Sequence, residues 1–172
     1  MAPYEVTAEL DGPARGALDT ASFVELCEQV LAAEGVEDAG LGLLFAGDEL
    51  LRRLNREHRE LDEPADVLSF PVAPADPDPA PEGGPRYLGD IAVSVETAAR
   101  QAAGAGLTLD LELRHLVLHG LLHLLDYGHA TAEQEAAMRE REEAVLGPGI
   151  HLAGGDRHEG HDHEGDGHEG YD

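Results

Sequence analysis

The stretch from Leu109 to Leu125 constrains the fold of this 172-residue chain more than any other segment. Leucine and valine lie on almost every side of a helix built on it, which is typical of a helix buried in the interior of a domain. Its richest apolar run, residues 116–125, contains two histidines and is too short to span a membrane. We therefore predict a soluble domain whose other elements pack around this central helix.

Three histidines lie in and just after the central helix, at a spacing typical of a metal site. His119 and His123 are four residues apart, so they stand one turn apart on the same helical face. His129 follows beyond a segment in which Gly128 indicates that the helix has ended. A buried imidazole must find a hydrogen-bond partner or a metal, and three histidines with an open fourth position are the ligand set of a catalytic zinc. We predict one divalent metal ion per chain, bound by His119, His123 and His129, a ligand set that Zn2+ would fit.

Two positions near these histidines bear on the number of metal ligands and on the type of reaction. His115 lies one turn before His119 and could be a fourth ligand, but a supporting or packing role is the better interpretation. The spacing from His119 to His129 also matches that of metzincin proteases, whose general base is a glutamate directly after the first histidine. That position is Gly120 here, so a peptidase of that mechanism is disfavoured.

The charge of the chain limits how it can meet a nucleic acid. The net charge is -25, and all 11 basic residues are arginine. Such a surface repels nucleic acid at long range, so an RNA substrate would have to be held by local arginines, a metal or a partner. Phosphodiester hydrolysis needs a cation for the phosphoryl oxygens, and Arg59 is the first candidate, with Arg56 next.

The single cysteine and the N-terminal sequence indicate the compartment. Cys27 stands alone, which excludes an internal disulfide and a cysteine-based metal site, and its neighbours Leu26 and Val30 indicate a buried thiol. The first residues lack the basic and apolar regions of a signal peptide. We expect a cytoplasmic protein.

The order of periodic segments predicts an α/β (α+β) domain, with a small four-stranded mixed sheet packed against about five helices. We predict strands at residues 4–10, 41–46, 66–71 and 87–94 and helices at about 19–34, 49–58, 95–103, 109–125 and 133–146. Six prolines between positions 71 and 85 indicate an irregular exposed loop at 72–86. We expect one folded domain over residues 1–151. Residues 152–172 are predicted to be a disordered tail rich in His, Asp, Glu and Gly, more typical of a solubilising end than of a metal-capturing one.

Several segments in the same order resemble the YbeY-type endoribonucleases, which are zinc-dependent rRNA maturation factors. The resemblance covers roughly residues 40–145. Its segments are residues 54–59 (LNREHR), 65–71 (ADVLSFP), 88–91 (LGDI), the acidic Glu112, and 119–124 (HGLLHL).

The resemblance implies that His119, His123 and His129 bind zinc and that Arg59 contacts an RNA phosphate, so we take Arg59, His119 and His123 as catalytic. It implies cleavage of single-stranded RNA in maturation of the 16S rRNA 3′ end and in ribosome quality control. The implied partners are ribosomal RNA and the small ribosomal subunit or its proteins, without membrane or DNA. Two alternatives stay open: a metallohydrolase of peptides or other small substrates, and a non-catalytic zinc-containing ribosome-assembly factor. Asp66 and Glu112 are further candidates for assisting or structural roles.

The chain departs from the family in the turn before the third histidine. The family reads Gly-Tyr-Asp-His there, whereas this chain places Asp126 first and Gly128 third. Glycine ends a helix in a left-handed turn at no steric cost, and aspartate does so less readily. We expect the zinc site to survive with altered support for His129.

Overall fold

The computed structural model describes residues 4–16, 18–71, 86–125, 131–147 and 150, which form a four-stranded mixed sheet and five α-helices. The strands are β1 (Tyr4–Leu10), β2 (Ala39–Ala46), β3 (Val67–Pro71) and β4 (Arg86–Ser94). The helices are α1 (Ala21–Ala33), α2 (Asp48–Arg59), α3 (Val95–Ala105), α4 (Leu109–Leu124) and α5 (Ala132–Leu146). The predicted fold class is confirmed.

The sheet has the strand order β1-β2-β4-β3. β1, β2 and β4 are parallel, and β3 pairs antiparallel with β4 at the edge. Neighbouring residues of β4 point to opposite faces of the sheet, so Ile91 packs in the larger core and Ala92 in the smaller one. The larger core lies between the sheet and helices α1 and α4, and the smaller core lies under Leu51 of α2. Helices α4 and α2 therefore cover opposite faces.

Helix α4 is the buried central helix that the sequence predicts. Its N-cap is Thr108, whose hydroxyl accepts a hydrogen bond from the backbone N–H of Leu111 at 3.1 Å. Twelve of its 16 residues are buried. The helix lies so close to the sheet at Gly120 that an added Cβ would stand 2.7 Å from Cγ2 of Ile91. The Ser69 hydroxyl of β3 donates a hydrogen bond to the Gly120 carbonyl at 3.0 Å, which fixes this approach.

The helix boundaries differ from the prediction at one glycine. We expected Gly104 and Gly106 to break α3 after about residue 103. The helix continues through Gly104 to Ala105, and Gly106, whose φ of 74° is left-handed, caps it. A helical glycine costs only about 1 kcal/mol relative to alanine, which packing readily offsets. A short 3₁₀ helix at Gly12–Ala14 was not predicted.

Some predictions lie outside the described residues. They concern the loop after Pro71, the turn that carries His129, and the tail over 152–172. None of the helices in the described part of the chain is both long and apolar enough to cross a membrane.

Candidate metal centre

Helix α4 brings His119 and His123 together as predicted. Both residues are buried, with 8% of each exposed, and their Nε2 atoms face each other at 3.1 Å. The ring centroids are 4.7 Å apart and the rings are nearly perpendicular. The contact follows from the four-residue spacing, which places both side chains one above the other on one helical face.

The distance between these two nitrogens fits a shared metal ion. Two imidazole nitrogens bound to one tetrahedral zinc, each at roughly 2.0–2.1 Å, are separated by about 3.3 Å. The observed Nε2–Nε2 distance between His119 and His123 is 3.1 Å. The third predicted ligand, His129, lies outside the described residues. Within the residues that are described, no group of three or more His, Cys, Asp or Glu side chains is arranged to hold a metal, so the three-histidine set stays a prediction.

Glu142 of α5, which was not predicted, contacts two histidines of α4, His115 and His119. Its Oε2 lies 2.8 Å from Nδ1 of His119, and its Oε1 lies 3.1 Å from Nε2 of His115. Only 3% of Glu142 is exposed. Metal-binding histidines typically donate their second ring N–H to a carboxylate in this way. The sequence carries one signal for it, because Glu142 falls four residues after buried Met138 on the inward stripe of α5.

His115 lies against Glu142 rather than beside the two facing nitrogens. It is 1% exposed, and its Nδ1 lies 3.9 Å from Oε1 of Glu112. Burial disfavours the charged imidazole, but the hydrogen bonds and negative charges of Glu112 and Glu142 outweigh burial and raise the pKa of His115 to about 9. This placement fits the supporting role that the sequence suggested.

Arg59 and the histidine pair come from elements on opposite faces of the sheet. Arg59 is the last residue of α2 and is half-buried, and the next residue, Glu60, has a left-handed backbone with φ 61°. Arg56 is exposed and lies 3.5 Å from Asp62, which also accepts a hydrogen bond from Arg52 at 2.8 Å. The assignment of Arg59 to the reaction stays a prediction.

Asp66 accepts two hydrogen bonds that connect elements of the fold. Its Oδ1 accepts the backbone N–H of Val67 at 2.7 Å, and its Oδ2 accepts the side-chain N–H of Gln101 at 3.2 Å. These bonds join the start of β3 to α3. They use both carboxylate oxygens of a residue that is 4% exposed.

A concavity of about 830 Å³ opens on the α2 face of the sheet. Leu54 and Phe70 line it, together with the carboxylates of Glu9 and Asp90. Two carboxylates are unfavourable to a phosphate backbone. This concavity is therefore a poor match for RNA.

The fold and the site define an α/β domain with a buried histidine pair on its central helix. The family model described as endoribonuclease YbeY matches residues 14–148, and the chain belongs to this family. The chain is 44% identical over 130 residues to the endoribonuclease YbeY of Desulforamulus reducens, covering 73% of this chain and 85% of the relative. It is 47% identical over 119 residues to that of Moorella thermoacetica, covering 67% and 76%.

A solved structure agrees with the architecture. The solution structure of TM1509 from Thermotoga maritima matches with a TM-score of 0.54, covering 86% of this chain and 91% of that protein. The two sequences are 24% identical, so this similarity supports the fold alone.

Proposed function

We propose that this protein is a zinc-dependent endoribonuclease that cleaves single-stranded RNA in the cytoplasm. We propose further that it acts in maturation of the 16S rRNA 3′ end and in ribosome quality control. The observation that carries the proposal is the facing Nε2 pair of His119 and His123 at 3.1 Å, supported by Glu142. This pair occurs in a family whose curated relatives are named endoribonucleases.

His119 and His123 would hold the zinc ion, with His129 as the third ligand. When bound, zinc would supply Lewis acidity toward water and a phosphoryl oxygen of the RNA. The chain's own residues prepare the site. Oε2 of Glu142 lies 2.8 Å from Nδ1 of His119 and keeps the ring proton on that nitrogen. The close contact of Gly120 with the sheet fixes the helix that carries both histidines. The site therefore sits on a rigid element, which favours a fixed ligand geometry.

Arg59 of helix α2 is the cation that we propose for an RNA phosphate on this acidic protein. Four of the chain's 11 arginines lie on this helix: Arg52, Arg53, Arg56 and Arg59. Arg52 and Arg56 interact with Asp62, and the half-buried Arg59 terminates the helix. We propose that Arg59 binds a phosphoryl oxygen and stabilises the charge that develops on it.

The contacts of Gly120 disfavour the peptidase alternative. In metzincins the residue after the first histidine is the general base. Here that position is turned to the sheet, where an added Cβ would lie within 3.4 Å of Ile91, Ser69 and Val67. A carboxylate at position 120 would be buried against two strands instead of reaching a substrate.

Cleavage assays on single-stranded fragments of ribosomal RNA test the proposal. We expect the zinc-loaded chain to cut them and His123→Ala to lose at least a hundredfold in rate. The matched control, His168→Ala in the tail, should retain the wild-type rate. If zinc-loaded protein leaves RNA intact but binds assembling small subunits, the non-catalytic assembly role is correct instead. Peptide cleavage that is lost in His119→Ala would establish the peptidase.

A further inference from the structure

We propose that Glu142 is a positioning residue of the metal site. It fixes the His119 ring in the tautomer that presents Nε2 to the metal, and His115 holds Glu142 in place from the other side. This inference rests on the metal site of the proposed function. It adds Glu142 of α5, which the sequence did not predict, and it gives the supporting role expected of His115 a specific partner.

The hydrogen-bonding capacity of a carboxylate determines the tautomer. An ionised carboxylate can only accept hydrogen bonds, so a ring nitrogen in contact with it has to donate. Oε2 of Glu142 lies 2.8 Å from Nδ1 of His119. The proton of a neutral His119 ring is therefore on Nδ1, and its Nε2 carries a lone pair. That lone pair faces Nε2 of His123 at 3.1 Å, where the metal is expected.

His115 contacts the other carboxylate oxygen of Glu142. Its Nε2 lies 3.1 Å from Oε1 of Glu142, so it donates to the carboxylate oxygen that His119 does not use. On its other side, Nδ1 of His115 lies 3.9 Å from Oε1 of Glu112. The ring is thus held between two buried carboxylates, and the Glu142 carboxylate is held between two rings. Neither group can rotate without losing a buried polar contact.

The same contact attaches α5 to α4. Helix α5 buries two residues, Met138 and Glu142, and most of its other residues are exposed. A purely structural explanation is that Glu142 only joins the two helices. The positioning role and the structural role differ in their consequence for His119. A purely structural contact has no effect on which ring nitrogen carries the proton or on metal affinity.

Two measurements on the full-length chain separate the explanations. Nitrogen chemical shifts of the histidine rings report the His119 tautomer in the metal-free protein. Titration with Co2+ reports affinity, because a four-coordinate cobalt site absorbs visible light far more strongly than the six-coordinate sites expected of a histidine-rich tail. The part of this absorption that is missing in His123→Ala belongs to the central site.

The first test compares Glu142→Gln with Glu140→Gln, which makes the same change at an exposed position of the same helix. We expect Glu142→Gln to weaken Co2+ binding at the central site by about 10- to 100-fold, the usual effect of losing such a partner. We also expect it to reduce the fraction of His119 protonated on Nδ1. Glu140→Gln should leave both measurements unchanged.

A second pair of variants keeps the inference testable if Glu142→Gln does not fold. The amide of His115→Gln can still donate to Oε1 of Glu142, whereas His115→Leu offers no donor. We expect His115→Leu to weaken Co2+ binding and His115→Gln to restore a measurable part of the loss.

Wild-type affinity and an unchanged His119 tautomer in Glu142→Gln would overturn the inference, as would equal affinities in His115→Gln and His115→Leu. A wild-type chain without four-coordinate Co2+ absorption would overturn both this inference and the proposed function. A wild-type chain that binds Co2+ through His119 and His123, with the predicted loss in Glu142→Gln, but does not cut RNA would support the inference and refute the nuclease alone.

Discussion

Replacing Gly120 by alanine tests whether α4 is pressed against the sheet as closely as the structure indicates. The added methyl group would stand 2.7 Å from Cγ2 of Ile91, 3.1 Å from Oγ of Ser69 and 3.3 Å from Cγ2 of Val67. Carbon atoms in a packed core prefer about 3.5–4.0 Å. Ile91 is fully buried, so it cannot yield into solvent. Either the helix or the two strands must move.

Two opposing effects set the magnitude. Alanine stabilises a helix relative to glycine by about 1 kcal/mol. Overpacking a core costs about 1–3 kcal/mol, and three close contacts on two strands place this site near the upper value. We expect Gly120→Ala to lower the free energy of unfolding by about 2 kcal/mol. For a chain of this size that corresponds to a fall in Tm of roughly 4–8 °C.

Gly104 provides the matched control, because it is helical and exposed and an added Cβ would meet nothing within 4 Å. Gly104→Ala should raise the free energy of unfolding by about 0.5–1 kcal/mol, since only the helix preference acts. Urea unfolding of the metal-free proteins, followed by circular dichroism, measures both changes. A stability increase in Gly120→Ala as large as that in Gly104→Ala would refute the close packing of α4 on the sheet.

Three further predictions concern single side chains. Burial, together with the charge of a neighbouring glutamate, raises the pKa of Cys27 to about 12; its thiol should react with Ellman's reagent at least a hundredfold more slowly in folded than in urea-unfolded protein. Burial alone would raise the pKa of Asp48, but hydrogen bonds from two hydroxyls and Arg100 hold it below 3.8. Its stabilisation is present above that ordinary value and lost as pH falls through the lowered one, so Asp48→Asn should cost about 1–2 kcal/mol at pH 7 and progressively less as pH falls below 3.8, by urea unfolding. Arg59→Glu should reduce RNA cleavage at least tenfold, and Arg53→Glu, at an exposed position of the same helix, should reduce it less than threefold.

The central helix and its histidine pair were predictable because their patterns are local. Leucines on every side of α4 identify a buried helix, and a four-residue spacing alone places His119 beside His123. Glu142 could not be assigned in the same way. Its partner His119 is 23 residues away, and no periodicity within α5 reveals which helix it will pack against. The continuation of α3 through Gly104 was missed because the intrinsic cost of a helical glycine is small compared with packing.

The polar residues of α4 are difficult to explain by folding alone. Glu112, His115, His119 and His123 follow one another at intervals of three or four residues, so they form a polar stripe along a helix that is otherwise mainly apolar. All four are buried, and the stripe contacts Glu142, a buried carboxylate on another helix. Burying such groups costs free energy even when they are paired, and well-packed apolar residues in their place are often equally or more stabilising. A stripe of leucines would therefore serve the core at least as well. The stripe instead aligns two Nε2 atoms at 3.1 Å and provides a carboxylate behind one of them. That arrangement suits a metal ion better than it suits the core, and it therefore supports the function that we propose for His119, His123 and Glu142.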